Sequence, residues 1–144
     1  MTGNSRFAVS VHILAYLAYR PGAAVPSGEI AESVDTNPVV IRRLLSTLLK
    51  ARLVTAKKGA TGGFALARVP AKISLRDIYR AVDPSPNQGM HNFAPNHECP
   101  VGAKIETILA TAFSKAQAAM EAELTRVTIA DVHAQLQAIC PGKK

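Results

Sequence analysis

The sequence contains no tryptophan and only two cysteines, Cys99 and Cys140, in 144 residues. Two cysteines are too few for the disulfide framework of a small secreted domain, so the reducing cytoplasm is the expected compartment. Aromatic residues make up 5% of the chain. That scarcity argues against the stacking platforms with which proteins bind single-stranded nucleic acid.

Long apolar runs are also lacking, since none approaches the ~20 residues needed to cross a bilayer. The apolar N-terminal stretch has no basic start and is interrupted by Ser10, His12 and Tyr16 at helical spacing. These interruptions favour an amphipathic helix over a signal peptide. The chain shows no nucleophile–base pair and no paired carboxylates, and its GATGG run is too short for a Walker motif. The sequence therefore predicts a protein that is neither a membrane protein nor an enzyme.

The charge that is present is unevenly distributed. The net charge is +7, and residues 1–82 carry twelve Lys and Arg against four acidic residues. Residues 83–144 carry five basic residues against six acidic ones. A basic half joined to a nearly neutral half indicates that one part binds a polyanion and the other part has a different role.

The most informative segment is LVTAKKGATGGFAL at residues 53–66. Its two apolar arms predict a short β-hairpin, and its tip combines lysines with glycines that let the backbone approach another surface. Lys57 and Lys58 suit a phosphate backbone, where contacts add affinity and carry little sequence information. The alternative is a surface hairpin whose charges serve only solubility.

Helical patterns precede the hairpin. The first helix is predicted from Ser5 to Tyr19, with one apolar face made of Phe7, Val11, Leu14, Ala15 and Ala18. The second is predicted from Ser27, as N-cap, to Val34. The third is predicted from Pro38 to Ala51, capped by Asn37. A basic helix followed by a basic glycine-tipped hairpin is typical of a winged helix-turn-helix, so the predicted fold is mainly α with a small β-hairpin wing.

A long helix is predicted after a proline-rich segment, from Val101 to Leu124, and it would span roughly 36 Å. Its apolar stripe consists of Val101, Ile105, Ile108, Leu109, Ala112, Phe113, Ala116 and Met120. A stripe of this length needs a partner helix, and a second copy of the chain is the economical candidate. The alternative is pairing with the last helix, Ile129 to Ile139, which is too short to cover the stripe.

The third helix presents polar side chains that suit duplex DNA. These are Arg42, Arg43, Ser46, Thr47 and Lys50. Arginine can bind guanine bidentately in a major groove, and serine or threonine can bind bases or phosphates. Asn37 lies where a recognition helix usually meets base edges, although a role as N-cap alone is equally compatible with its position.

Five segments in order resemble one bacterial family: SRFAVSVHILAYLA, SGEIAESV, LLSTLLKARLV, KKGATGGFALA and ISLRDIYRAVD. The chain resembles the winged-helix regulators that include the iron–sulfur regulator IscR, the nitric-oxide sensor NsrR and the cysteine-metabolism repressor CymR. The resemblance is close over residues 4–83 and implies a homodimeric repressor or activator that reads a roughly palindromic operator in double-stranded DNA. It also implies that the helix after the loop is a dimerisation helix. Arg42 stands where the IscR branch often has an acidic residue, so operator preference does not transfer.

The resemblance implies DNA contacts from three segments: Ser5 and Arg6 in helix one; Asn37, Val39, Arg42 and Arg43 in helix three; and Lys57, Lys58, Gly59, Gly62 and Gly63 in the wing. Ser27, Ser46 and Lys50 complete the predicted DNA-binding set. The expected organisation is a winged helix-turn-helix domain at 1–82, a flexible sensor-type loop at 83–100, and the dimerisation and C-terminal helices at 101–144. The competing interpretation is a winged-helix module that binds acidic protein surfaces without operator specificity.

Cluster-binding members of that family carry three cysteines in the loop before the dimerisation helix, whereas this loop contains Cys99 alone. One thiolate cannot hold an iron–sulfur cluster by the usual ligation, so no cofactor is expected. A metal site from His91, His97 and Cys99 is conceivable, but its spacing matches no strong zinc pattern. Because Cys99 precedes Pro100, it is expected at a helix N-terminus, where the dipole favours the thiolate. Cys99 is therefore a candidate redox- or electrophile-sensing thiol, with Cys140 or a second Cys99 as the resolving thiol. The alternative is that both cysteines are inert.

Overall fold

The computed structural model describes residues 3–83 and 93–140, including the side chains from Ser5 onward. The chain forms two compact units, one of residues 1–84 with 124–144 and one of residues 85–123. The elements in order are α1 (Gly3–Tyr19), α2 (Ser27–Val34), α3 (Pro38–Lys50), β1 (Val54–Lys57), β2 (Gly63–Leu66), a 3₁₀ turn (Pro70–Lys72), α4 (Leu75–Val82), α5 (Pro100–Thr125) and α6 (Ile129–Ile139). The predicted class, mainly α with one small β-hairpin, is confirmed.

The third helix forms for the reasons that its sequence indicates. Pro38 occupies the first turn, and the side chain of Asn37 accepts a hydrogen bond from the backbone N–H of Val39 at 2.8 Å. An N-cap of this kind stabilises a helix by typically about 1 kcal/mol. Its buried side chains recur at i, i+3, i+4 and i+7: Ile41, Leu44, Leu45 and Leu48. The predicted cap is confirmed, and the opposite face of α3 is left to solvent.

The second helix begins differently from the prediction. Pro26, in an extended conformation, occupies the N-cap position, and no side chain caps the helix. Ser27 is the first helical residue, so its prediction as N-cap is wrong. The physical reason lies one residue earlier, because Val25 is held in a β-bridge to Phe64 and Pro26 then turns the chain directly into the helix.

The hairpin pairs in an antiparallel register that joins Val54 to Leu66 and Lys57 to Gly63. Val25 also pairs with β2: its N–H donates to the carbonyl of Phe64, and its C=O accepts from the N–H of Phe64, both at 2.8 Å. The wing is therefore anchored to the segment that leads into α2. The connection between α1 and α2 therefore helps to hold the hairpin in place.

The first helix buries more than the one predicted face. Its buried side chains are Ser10, Ile13, Leu14, Ala15, Leu17 and Ala18. Phe7 and Val11, which the periodicity placed on the core face, are only half-buried and pack at the edge of the core. The predicted face is wrong in part because α1 contacts neighbours on several sides, including α2, α4, α6 and β2.

A second backbone junction ties α6 to α4. Leu75 donates to the carbonyl of Val127 at 2.8 Å, and Ile129 donates to the carbonyl of Ile73 at 2.9 Å. Ser74 and Thr128 each start a helix with a reciprocal capping box. Ile73 and Ile129 are fully buried, so the last helix is fixed to the winged-helix unit by both hydrogen bonds and apolar packing.

The long helix α5 has 26 residues, and none of them is buried. Val101, Ile108 and Met120 of its apolar stripe are 67%, 62% and 40% exposed. Within residues 3–83 and 93–140, no helix is long and apolar enough to cross a membrane.

Candidate nucleic-acid interface

The outer face of α3 carries five of the fourteen residues predicted to meet DNA. Arg42, Arg43, Ser46 and Lys50 are exposed, while the buried stripe of the same helix fixes their direction. Val39 is 46% exposed, which leaves an apolar side chain beside them. Basic, hydroxyl and small apolar groups on one helix face are the combination that reads base edges and phosphates in a major groove.

Thr47 of α3 and its N-cap residue Asn37 already hydrogen-bond to the backbone of the helix. The hydroxyl of Thr47 donates to the carbonyl of Arg43 at 3.2 Å, and the side chain of Thr47 is half-buried. The side-chain oxygen of Asn37 holds the cap described above. An amide group also has two N–H donors, so capping by its oxygen leaves donors for an external acceptor.

The wing tip is built on tight backbone contacts. Gly59 has a φ of +107°, a conformation that favours glycine. Gly62 donates to the carbonyl of Gly59 at 3.0 Å, and a Cβ on Gly62 would lie 2.2 Å from the carbonyl oxygen of Lys57. Lys57 and Lys58 are exposed beside this turn. The glycines therefore let a compact loop present two ammonium groups.

The basic side chains of α3 and the wing are not neutralised within the part of the chain that the structure describes. Two ion pairs in that part join Arg20 to Glu29 and Arg68 to Asp77, and none of these four residues belongs to α3 or to the hairpin strands. Arg42, Arg43, Lys50, Lys57 and Lys58 are exposed and make no ion pair there. An uncompensated cluster of this kind attracts a polyanion.

The structure brings α3, the wing and the start of α2 together through short connections. Leu53 donates to the carbonyl of Leu48 at 3.0 Å, so α3 turns directly into β1. Ser27, half-buried, lies two residues beyond Val25, which pairs with the wing. Arg6 near the start of α1 is exposed and Ser5 is half-buried.

Cys99 lies in an electropositive position directly before α5. The backbone N–H groups of Gly102 and, less strongly, Val101 lower the pKa of its thiol below the usual value by stabilising the thiolate. Its side chain is exposed, and so is that of Cys140 at the end of α6. Both cysteines are free thiols.

The described residues contain no group of three or more His, Cys, Asp and Glu that could hold a metal ion. His97, Glu98 and Cys99 are all exposed. His91, which the sequence offered as a further ligand, lies outside the described residues.

One feature escaped the sequence predictions. A cavity of about 650 Å³ lies between α1, α2 and α6 in the winged-helix unit. His12, interpreted above as an interruption of the apolar pattern, lines it and bonds through Nε2 to the hydroxyl of Ser33 at 2.9 Å. The sequence did contain a signal for this cavity. Ala8, His12, Tyr16 and Tyr19 recur at helical spacing on α1, beside the face that packs into the core.

Comparison with known proteins identifies the family. A family model described as an iron-dependent transcriptional regulator, Rrf2, matches residues 3–135. YwnA of Bacillus subtilis, whose name describes it as a candidate HTH-type transcriptional regulator, is 43% identical over 129 residues, covering 90% of this chain and 95% of that protein. A structure titled as a candidate transcriptional regulator from Lactobacillus plantarum matches with a TM-score of 0.79 and 31% identity, over 92% of this chain and 89% of that one. The structure of T. potens IscR shares the fold, with a TM-score of 0.72 at 24% identity, over 96% and 90% of the two chains.

The family description implies iron, but the donor set of this chain does not fit a cysteine-ligated cluster. The sequence has only two cysteines, and they stand at the start of α5 and the end of α6. Iron–sulfur clusters are held mainly by Cys thiolates, so a single cysteine before α5 leaves the usual ligation incomplete. The family and its structural relatives are transcriptional regulators and not enzymes. With its winged helix, its exposed basic face and a family match over nearly its whole length, this chain belongs to the Rrf2 family of transcriptional regulators.

Proposed function

We propose that this Rrf2 regulator is a homodimeric repressor that binds a palindromic operator through α3 and the wing. The observation that carries the proposal is the exposed cluster of basic side chains on α3 and the wing, which has no ion pair in the described part of the chain. Repression would result where the operator overlaps a promoter, because a protein bound there excludes other proteins from the same duplex.

The two parts of the surface have different tasks in this proposal. α3 enters the major groove, where Arg42 and Arg43 address base edges and Val39 contacts a thymine methyl group. Lys57 and Lys58 of the wing bind phosphates and fix the orientation of the protein on the duplex. Specificity therefore depends on α3, and salt-sensitive affinity depends on both elements.

The dimer in this proposal forms through the apolar stripe of α5. Symmetric association of two identical chains gives a two-fold axis, so the operator repeats in inverted orientation. Half-sites about 10–10.5 base pairs apart, or a multiple of that spacing, would present the same groove face to both α3 helices.

Fluorescence anisotropy tests the proposal with the reduced protein, a duplex from upstream of its own gene, and a scrambled competitor. We expect a preference of ~10³-fold or more, within the range of specific regulators. Equal, weak binding to both duplexes would instead favour the module that binds acidic protein surfaces. Size-exclusion chromatography with light scattering tests the dimer separately.

We also propose that Cys99 is the thiol through which the regulator senses oxidants or electrophiles. Support comes from its exposed side chain and from the backbone N–H groups that stabilise its thiolate. Oxidation would join Cys99 to Cys140 or to the Cys99 of a second copy, releasing two protons and two electrons to the oxidant.

Diamide, which accepts those two electrons and protons, is the direct test of the sensing proposal. Cys99→Ser should bind the operator with unchanged affinity and lose its response to diamide, while Cys140→Ser distinguishes the two resolving thiols. A Cys99→Ser protein that keeps its full oxidant response would contradict the role of Cys99.

A further inference from the structure

The turn that joins α3 to the wing holds an arginine in a backbone conformation that favours glycine. The N–H of Leu53 donates to the carbonyl of Leu48 at 3.0 Å. The N–H of Arg52 donates to the carbonyl of Leu49, also at 3.0 Å. These two bonds form a Schellman motif, in which the residue at the position of Arg52 is left-handed and is usually glycine. Arg52 accordingly has a φ of +58°.

An arginine at this position costs stability. A Cβ in the left-handed region lies too close to the following carbonyl oxygen, at a cost equivalent to about a five- to thirtyfold shift of the folding equilibrium. Among the described residues, the other non-glycine residue with a positive φ is Asp35, at +59° at the end of α2. Aspartate is tolerated there because its short polar side chain can hydrogen-bond locally, and arginine does not share that property. Strain of this kind, kept in a folded protein, points to a function of the residue.

The side chain of Arg52 is available for an external partner. It is exposed and makes no ion pair in the part of the chain that the structure describes. A cation near a helix C-terminus also interacts favourably with the helix dipole. Lys50 already supplies such a cation in the last turn of α3. The dipole alone therefore does not explain a second cation held in an unfavourable backbone conformation two residues later.

The position of Arg52 relates it to the two elements of the proposed DNA-binding surface. α3 ends at Lys50 and β1 begins at Val54, so Arg52 lies at the corner between the helix and the wing. α3 has 13 residues. At ~1.5 Å per residue it is about 20 Å long, whereas the major groove is ~12 Å wide. When the first turns of α3 read base edges, its C-terminal end therefore extends to the phosphate backbone at the edge of the groove.

We propose that Arg52 binds a DNA phosphate at the edge of the groove that α3 enters. This inference rests on the proposed function, and it adds a cation to the DNA-binding residues given above. Lys50 and Lys57, both exposed, stand on either side of Arg52 along the chain. Basic side chains thus continue from α3 through the turn into the wing. The contact adds affinity and carries no sequence preference.

Arg52→Gly separates the effect on binding from the effect on folding, because it removes the cation and relieves the backbone conformation in one step. The variant should keep or raise the urea concentration at the midpoint of unfolding. In anisotropy titrations it should bind duplex DNA roughly five- to tenfold more weakly at about 0.1 M salt, which is the counterion-release contribution of one phosphate contact. The slope of log K against log salt should become shallower by about 1, equally on the duplex from upstream of the gene and on the scrambled duplex.

Two further variants serve as controls. Asp35→Gly relieves the other left-handed backbone position without removing a cation, so it should raise the unfolding midpoint and leave the salt slope as it is in the wild type. Arg52→Lys restores the charge as an ammonium group, which also binds phosphate. Arg52→Lys should therefore recover the slope that Arg52→Gly loses.

An Arg52→Gly protein with the wild-type salt slope would overturn the proposal, and a lower unfolding midpoint in that protein would assign the side chain to the stability of α3. A loss of affinity confined to the upstream duplex would overturn it as well, since a phosphate contact is independent of sequence. The regulator function is judged separately. A wild type without preference for the upstream duplex refutes operator recognition, whereas the slope of Arg52→Gly tests the phosphate contact on either duplex.

Discussion

Replacement of Gly63 by alanine is expected to detach the wing from the segment that leads into α2. Gly63 has a φ of +154°, and an added Cβ would lie 2.5 Å from both the carbonyl carbon and the carbonyl oxygen of Val25. Both atoms belong to the backbone, so no side chain can rotate away to make room. The added methyl must therefore separate the wing from the segment before α2.

The magnitude follows from what that separation breaks. The bridge between Val25 and Phe64 has two backbone hydrogen bonds of 2.8 Å, each with a net value of about 0.5–1.5 kcal/mol. The unfavourable φ adds a cost of roughly 1–3 kcal/mol. We expect Gly63→Ala to lower the free energy of unfolding by about 2–6 kcal/mol, a large fraction of the ~5–15 kcal/mol typical of a domain.

Urea denaturation followed by circular dichroism measures this change, with Gly28→Ala as control. Gly28 lies inside α2, and nothing lies within 4 Å of an added Cβ. That substitution should be neutral or stabilising by up to ~1 kcal/mol, because alanine is the better helix former. A Gly63→Ala protein as stable as the wild type would show that the bridge to Val25 does not anchor the wing.

Three further outcomes follow from the site. Asn37→Ala should lower the free energy of unfolding by about 1 kcal/mol in urea denaturation, since it removes the cap of α3; an unchanged midpoint would contradict that role. Lys57→Ala with Lys58→Ala should reduce the slope of log K against log salt by about 2 in anisotropy titrations, one unit for each lost phosphate contact; an unchanged slope would place the wing away from the backbone. Because the pKa of the Cys99 thiol is lowered, iodoacetamide should alkylate Cys99 faster than Cys140 near pH 7, and its rate should fall only at lower pH as the thiolate is protonated. Equal rates, measured by mass spectrometry, would contradict the backbone stabilisation of the thiolate.

Local signals in the sequence were sufficient to predict most of the helices and the hairpin. Asn37 followed by Pro38 specified the start of α3, and the lysine- and glycine-rich tip specified the hairpin. These features act through neighbouring residues, so their chemistry can be read along the chain. The start of α2 could not be obtained in this way, because a long-range pairing of Val25 with Phe64 fixes the backbone just before it.

The sequence predicted which residues of α3 are exposed to DNA, but it did not predict the hydrogen bonds that their side chains make. The exposure of Arg42 and Arg43 follows from the apolar stripe on the other face of α3. Engagement of Thr47 with the carbonyl of Arg43 is a rotamer choice that no pattern encodes. The cavity between α1, α2 and α6 was missed because one periodicity was assigned to α1, whereas residues such as His12 belong to a second face of that helix.

The central claim is that α3 reads DNA, and a matched pair of arginine variants tests it most directly. Arg43→Ala removes a charge from the exposed face of α3, and Arg68→Ala removes the same charge from a residue that faces Asp77 at 3.9 Å. In anisotropy titrations on the operator and a scrambled duplex, Arg43→Ala should lose about 1–3 kcal/mol of operator affinity and much of the preference for the operator. Arg68→Ala should keep both. Equal losses in the two variants, or full preference in Arg43→Ala, would contradict recognition by α3.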